Sequence, residues 1–381
     1  MKKISFVPIT AVIAFAIVCT LVGCPDGSGG GSGGGSGNIT GGEGVYVCGI
    51  YRYIDNNDYP CIWKDGKLFK LEIHPGSNFG SVSGIAVSGK DIYAVGQCYN
   101  GSIYSACYWK NGKIYDLHPD PAMASSRANR IVVLGNNVYV GGYYQKGFDA
   151  GGRICPCYWK DGVFVDLPMP PSTWDCSVCD IASTGTDVIL IGNHADTDEG
   201  NYRGCYWKAS DNSFTVLEVD GYTLNDANNI TTVGSDFYII GDYGWLDTNN
   251  KYVSNNCYWK NGVYQDDSKI PNGANISLGR FTVAGQDLYI AGSTFIEDYI
   301  DHNLTYIYTA QYWKNGVSQY IPVPYETVQS RAGAIALSGQ DIYIAGVLDR
   351  VACYWKNGEI TYMEYPDYAN YCNTGAILVV E

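Results

Sequence analysis

The residues whose types and spacing suit chemistry are few, and most of them are cysteines. "CSVC", Cys176 and Cys179, has the spacing of a redox or zinc pair. No helical pattern follows it to lower a thiol pKa, and no second CxxC completes four ligands, so neither role is favoured. Cys61, Cys107, Cys157, Cys205, Cys257 and Cys353 recur in one phrase, and Gln311 takes the seventh place. A slot that accepts glutamine calls for a small filler rather than a bridge, and successive copies fall outside the Cα separation of about 4.4 to 6.8 Å that a disulfide needs. Cys98 and Cys107 flank one hairpin and are placed to pair. In "DTDEGN", residues 196–201, Asp196 and Asp198 present alternate carboxylates in a turn, which suits Ca²⁺. The distal Glu of an EF-hand is missing, a solvated acidic loop is the plainer reading, and no other cofactor is expected. Four histidines, at 74, 118, 194 and 302, are too scattered for a multi-His centre, and no catalytic residue is assigned.

The beginning of the chain concerns location. Lys2 and Lys3 precede a largely apolar run from Val7 to Val22, which ends in "LVGC" at 21–24. That ending resembles the bacterial lipobox. The resemblance implies a signal peptide over 1–23, cleavage before Cys24 and lipid on Cys24. The Gly/Ser stretch within 24–41 then acts as a flexible tether with a reach of about 20 Å. The expected location is the bacterial cell envelope, lipid-anchored, with the outer membrane favoured over the inner. Formal charge is −14, and loss of Lys2 and Lys3 with the leader makes it −16. So acidic a body argues against nucleic acid and against electrostatic docking on anionic lipid, which leaves the acyl chains as the only membrane contact.

The elements that would position any site come from a repeat. "CIWKDG" at 61 recurs as "CYWKNG" at 107, "CYWKDG" at 157, "CYWKAS" at 205, "CYWKNG" at 257, "QYWKNG" at 311 and "CYWKNG" at 353. A second phrase interleaves with it, from "GEGVYVCG" at 42 to "GQDIYIAG" at 339. In the third copy, "NRIVVL", "VYVGGYY", "PCYW" and "VFVDL" read as strands joined by the turns "GNN" and "KDG". Four short strands per unit make one propeller blade. The expected fold is therefore all-β: a seven-bladed β-propeller over 42–381. The first unit lacks a leading strand, and "TGAILVVE" at 374–381 aligns with "AGAIALSG" at 332. The C-terminal strand should thus complete the first blade and close the ring. Trp63, Trp109, Trp159, Trp207, Trp259, Trp313 and Trp355 fall on the third strands as packing between sheets, and the lysine after each belongs to strand or turn.

The order of these phrases in "YWKNGKIYDLHPDPAMASSRANRIVVLGNNVYVGG" also resembles the bacterial extracellular repeats called HAF. That resemblance implies an extracellular propeller and no particular activity. Uniform turns serve folding, whereas the connections between second and third strands, and between blades, vary freely and share one face. On that face the candidate ligand-binding residues are Tyr51, Tyr53, Tyr143, Tyr144, Trp245, Tyr299 and Tyr306. Exposed rings of this kind stack on sugars or anchor a protein. The expectation is a monomeric, non-catalytic binding module for a protein or glycan. An envelope-assembly scaffold and a metal-dependent hydrolase of the lactonase kind are the alternatives.

Overall fold

Period-two alternation and two-residue turns fold every repeat into an antiparallel sheet of four strands. The computed structural model describes residues 39–381 apart from 55, 118–122, 148–151, 172, 196–201, 247, 249–251, 274, 301–302 and 368. The leader, Cys24 and most of the tether lie outside the described residues, as does the calcium candidate Asp196 and Asp198.

Blade 1 contains β1 (Gly44–Tyr53), β2 (Asp58–Lys64) and β3 (Lys67–Lys70). Blade 2 contains β4 (Gly80–Ser88), β5 (Asp91–Tyr99), β6 (Tyr104–Lys110) and β7 (Lys113–Asp116). Blade 3 contains β8 (Met123–Leu134), β9 (Asn137–Lys146), β10 (Arg153–Lys160) and β11 (Val163–Asp166). Blade 4 contains β12 (Asp175–Ser183), β13 (Val188–Ala195), β14 (Tyr202–Lys208) and β15 (Ser213–Val216). Blade 5 contains β16 (Leu224–Val233), β17 (Asp236–Leu246), β18 (Tyr252–Lys260) and β19 (Val263–Tyr264). Blade 6 contains β20 (Ile276–Ala284), β21 (Asp287–Ile300), β22 (Asn303–Lys314) and β23 (Val317–Tyr320). Blade 7 contains β24 (Ser330–Ser338), β25 (Asp341–Leu348), β26 (Val351–Lys356) and β27 (Glu359–Tyr362).

The last strand, β28 (Ala369–Val380), returns to pair with β1 and supplies the inner strand of blade 1. Each inner strand touches the next around the axis, and β28 touches both β24 and β4. The chain is an all-β, seven-bladed propeller closed by its C-terminal strand. Two boundaries differ from the sequence reading. β28 starts at Ala369 rather than Thr374, because pairing with β1 continues through a register shift. The packed body starts before Gly42: Ile39 is buried in a core cluster with Tyr46 and Ile92, and the Gly41 N–H donates to the Lys90 carbonyl.

The turns follow their residues. Between third and fourth strands, pairs such as Asn111–Gly112 and Asp161–Gly162 have positive φ at both positions, the requirement of a type I′ hairpin. Around one such turn, Lys110 Nζ reaches Asp91 Oδ2 at 2.7 Å and lies 5.2 Å from the Tyr93 ring centre, while Asn111 Nδ2 donates to Asp91 Oδ1. The lysine–aspartate pair repeats at Lys260–Asp236, Lys314–Asp287 and Lys356–Asp341. These lysines are occupied within their own blades.

The repeated tryptophans join blade to blade. All seven are buried, and burying a ring of that size contributes about 2 to 3 kcal/mol. In four of them the indole N–H donates to a carbonyl just past the fourth strand of the preceding blade: Trp109 to Glu72, Trp207 to Pro168, Trp259 to Glu218 and Trp355 to Pro322. Trp63 does the same across the closure, to Glu364 at 2.6 Å. In blades 1, 3, 4, 6 and 7 the indole edge rests on a glycine of the second strand, at Gly49, Gly142, Gly192, Gly292 and Gly346. A β-bulge in the inner strand carries a carbonyl over that glycine, so a Cβ on Gly192 would collide with the Ser177 oxygen and press on the Trp207 ring.

Gly192→Ala is expected to lower stability by about 3 kcal/mol, the range of an overpacked core position. A thermal midpoint by circular dichroism equal to that of the parent would contradict the packing assignment.

Candidate functional site

The connections between second and third strands and between blades form one face. The sequence-derived tyrosines on it divide into core and surface. Tyr51 is 3% exposed, stacked on Tyr59 at 5.5 Å and edge-on to Tyr53, and burial pushes its phenol pKa up. Tyr144 is 6% exposed, and its hydroxyl donates to Asp166 Oδ1. Both are core residues, not ligand contacts; alternation along β1 and β9 turns them into the sheet stack. Tyr53 and Tyr143 are half-buried. Trp245 is half-buried in a stack with Tyr222 and Tyr243. Tyr306 is exposed and lies edge-on to Phe295. Tyr299 pairs with Leu304 in the hairpin of blade 6, and its side chain lies outside the described residues.

Other residues dominate this face. Trp174 (53% exposed), Tyr325 and Val328 sit in connections between blades, with Ile54, Ile296 and Tyr104 in or beside the second-to-third-strand connections. Trp174 had a readable signal: of nine tryptophans, only Trp174 and Trp245 lie outside the repeat.

The cysteines and histidines do not converge. All described cysteines are free, including Cys98 and Cys107, which the hairpin leaves as thiols. Burial raises Cys179 to about 12, the opposite of a reactive thiolate. His74 contacts Asp116 Oδ1 at 2.9 Å, while His194 is buried against Phe214 in blade 4. Among the described residues no cluster of three or more His, Cys, Asp or Glu is grouped to hold a metal.

The axis holds what the sequence reading missed. Aligned on their bulges, the inner strands place Gly84, Arg130, Asp180, Asn229, Arg280, Ala334 and Ala376 at one level. Three blades carry Gly or Ala there, and the charged residues in the same slot of "ANRIVV", "VCDIAS" and "LGRFTV" were the available signal. They line a cavity of about 350 Å³ bounded by all seven inner strands. Asp180, 1% exposed, accepts from the Ile181 and Ile230 N–H groups at 2.9 and 3.1 Å. Arg280 Nη2 lies 3.1 Å from Asp180 Oδ2, and Arg130 Nε 3.5 Å from Oδ1. Burial pushes Asp180 up to about 6, with Arg130 and the two N–H groups opposing. In the next blade Asp226 faces Asp242 across the β16–β17 register. Burial and the Asp242 charge raise Asp226 to about 7.

No protein-family model matches the chain, and no curated protein matches it. The chain is similar to solved structures at low identity. The structure titled "YCF48 bound to D1 peptide" is 11% identical over 85% of this chain and 93% of its own, with a TM-score of 0.45. An acylaminoacyl peptidase in complex with Z-Gly-Gly-Phe-chloromethyl ketone is 12% identical over 85% of this chain and 50% of its own, at 0.47. A nidogen/laminin complex gives 10%, 88%, 97% and 0.39.

Asp226 and Asp180 hold protons more tightly when folded than when unfolded, since 3.8 is the ordinary value. Their contribution to stability is full below about pH 4 and is lost as pH rises through 6 to 7. Asp226→Asn should flatten this decline in thermal midpoints measured from pH 4 to 8. Parallel curves for parent and variant would show that Asp226 ionises freely.

Proposed function

We propose that the protein is a lipid-anchored, non-catalytic binding module of the bacterial envelope whose variable-loop face holds another protein. The observation that carries this is the exposed apolar set on that face, Trp174, Tyr325, Val328, Ile54 and Ile296. Large apolar groups left in water on one rim mark an interaction surface. Aliphatic Ile54, Ile296 and Val328 among the rings favour a protein over a glycan, because sugars stack on flat aromatic faces and gain little from branched aliphatics. On the opposite face Lys110, Lys260, Lys314 and Lys356 are taken up by aspartate and tyrosine within their own blades. The lipobox-like "LVGC" and the Gly/Ser tether support attachment through Cys24. The HAF-like pattern of the repeats agrees with an extracytoplasmic body.

Trp174→Ala combined with Tyr325→Ala should weaken capture of the partner from solubilised envelope by tenfold or more, the scale of lost hot-spot residues, with an unchanged thermal midpoint. Equal capture by parent and variant would reject this face, and binding to an immobilised glycan array alone would replace the protein partner by a sugar. Incorporation of a palmitate analogue into the parent but not into Cys24→Ser tests the anchor; equal labelling would remove it.

A further inference from the structure

The described residues begin on the face of the disc that carries the uniform turns. Ile39 is 2% exposed and packs with Tyr46 of β1 and Ile92 of β5. Beside it the Gly41 N–H donates to the Lys90 carbonyl at 2.9 Å, and Lys64 Nζ reaches the Thr40 carbonyl at 3.4 Å. Lys90 belongs to the turn between β4 and β5, and Lys64 opens the turn between β2 and β3. The Tyr46 hydroxyl donates to the Gly42 carbonyl at 2.7 Å, and Asp65 accepts the Val45 N–H at 2.8 Å. The stretch from Ile39 to Val45 is thus fixed between turns of blades 1 and 2, and the chain that precedes it joins the body at the turn face.

Charge divides the molecule along the same axis. The thirteen turns of this face, each counted with the strand residue on either side, contain ten lysines and nine acidic residues. The whole chain carries −14, so the acidic excess lies elsewhere on the body. Four of these lysines are held by aspartates at 2.7 to 2.9 Å. The turn face is therefore close to neutral, and it meets anionic head groups without the repulsion that the acidic remainder meets.

We propose that the turn face is the surface this protein presents to the bilayer, and that the loop face is held away from it. The inference rests on attachment through Cys24 and goes beyond it by stating which way the disc points. The Gly/Ser-rich stretch 25–38 has by composition a reach of about 20 Å. Inner strands such as β4 (9 residues) and β16 (10 residues), at about 3.3 Å per residue, make the disc about 30 Å deep. With the turn face toward the lipid, the stretch spans its relaxed distance. With the loop face toward the lipid, it would have to run the depth of the disc before reaching a head group, which costs conformational freedom. The docking surface around Trp174 and Tyr325 then stands about 50 Å from the head groups. The partner that fits it is a protein with a domain clear of the bilayer, not a membrane-embedded segment.

The test places a fluorescent amino acid singly at Lys67 and Ile54 of blade 1, and at Val163 and Trp174 in and after blade 3, all four being exposed. The full lipidated chain is bound to phosphatidylcholine vesicles that contain an acceptor-labelled lipid. Energy transfer from Lys67 and Val163 should exceed that from Ile54 and Trp174 by about twofold or more, the contrast between about 20 and 50 Å. With anionic phosphatidylglycerol added, the contrast should hold or grow. Equal transfer within each pair, or stronger transfer from Ile54 and Trp174 in either vesicle, would overturn the orientation while leaving the anchor in place. Cys24→Ser should abolish transfer at all four sites. Identical transfer in parent and Cys24→Ser would remove the anchor, and the orientation with it.

Discussion

A backbone carbonyl placed over a glycine is the constraint on which this propeller depends. In each blade the bulged inner strand brings one carbonyl against the second strand, at Gly49, Gly96, Gly142, Gly192, Gly241, Gly292 and Gly346. Only a residue without Cβ admits that approach. The same glycine leaves a flat floor for the indole of the third strand, and in five blades the indole N–H then reaches the preceding blade. Bulge, glycine and tryptophan thus form one unit, and its sevenfold repetition explains why the YWK phrase recurs where a surface motif would have drifted.

That unit also determines what the axis can hold. A bulge turns one extra side chain toward the channel and frees a backbone N–H beside it. Where these groups are satisfied locally, blades are tied together: Ser83 donates to the Ala128 carbonyl and Asn129 to the Val178 carbonyl. Asp180 accepts the N–H of Ile181 in its own blade and that of Ile230 in the next, and attracts arginines from two further blades. The wall is thus quiet on the side of Gly84, Ala334 and Ala376 and charged on the side of blades 3 to 6.

Much of the fold was legible because it is written by local chemistry repeated seven times. Asn–Gly and Asp–Gly turns, period-two strands and the unmatched final segment led to the ring and its closure without tertiary information. The site was less legible. Tyr51 and Tyr144 look the same in sequence as Tyr306, and only the stacking of sheets decides which ring is core. Connections between blades, where Trp174 and Tyr325 stand, have no periodicity to announce them. Arg130, Asp180 and Arg280 were hidden for a different reason: they are far apart in the chain, and only ring closure brings residue 130 and residue 280 to one carboxylate.

The two faces of the disc carry different burdens. One carries aspartate, lysine, asparagine and tyrosine that satisfy one another in blades 2, 5, 6 and 7, with single exposed valines at 163, 263 and 317 beside the turns; the other ends in unequal loops that carry the larger exposed groups Trp174, Tyr325 and Ile54. The most direct measurement is a photo-cross-linking map in intact envelopes, with a benzophenone amino acid placed singly at Trp174 and Tyr325 on the loop face and at Val163 and Val317 beside the uniform turns. Discrete protein adducts from the first pair and none from the second are the predicted result. Adducts from the turn side, or equal yields from both faces, would contradict the assignment of recognition to the variable loops.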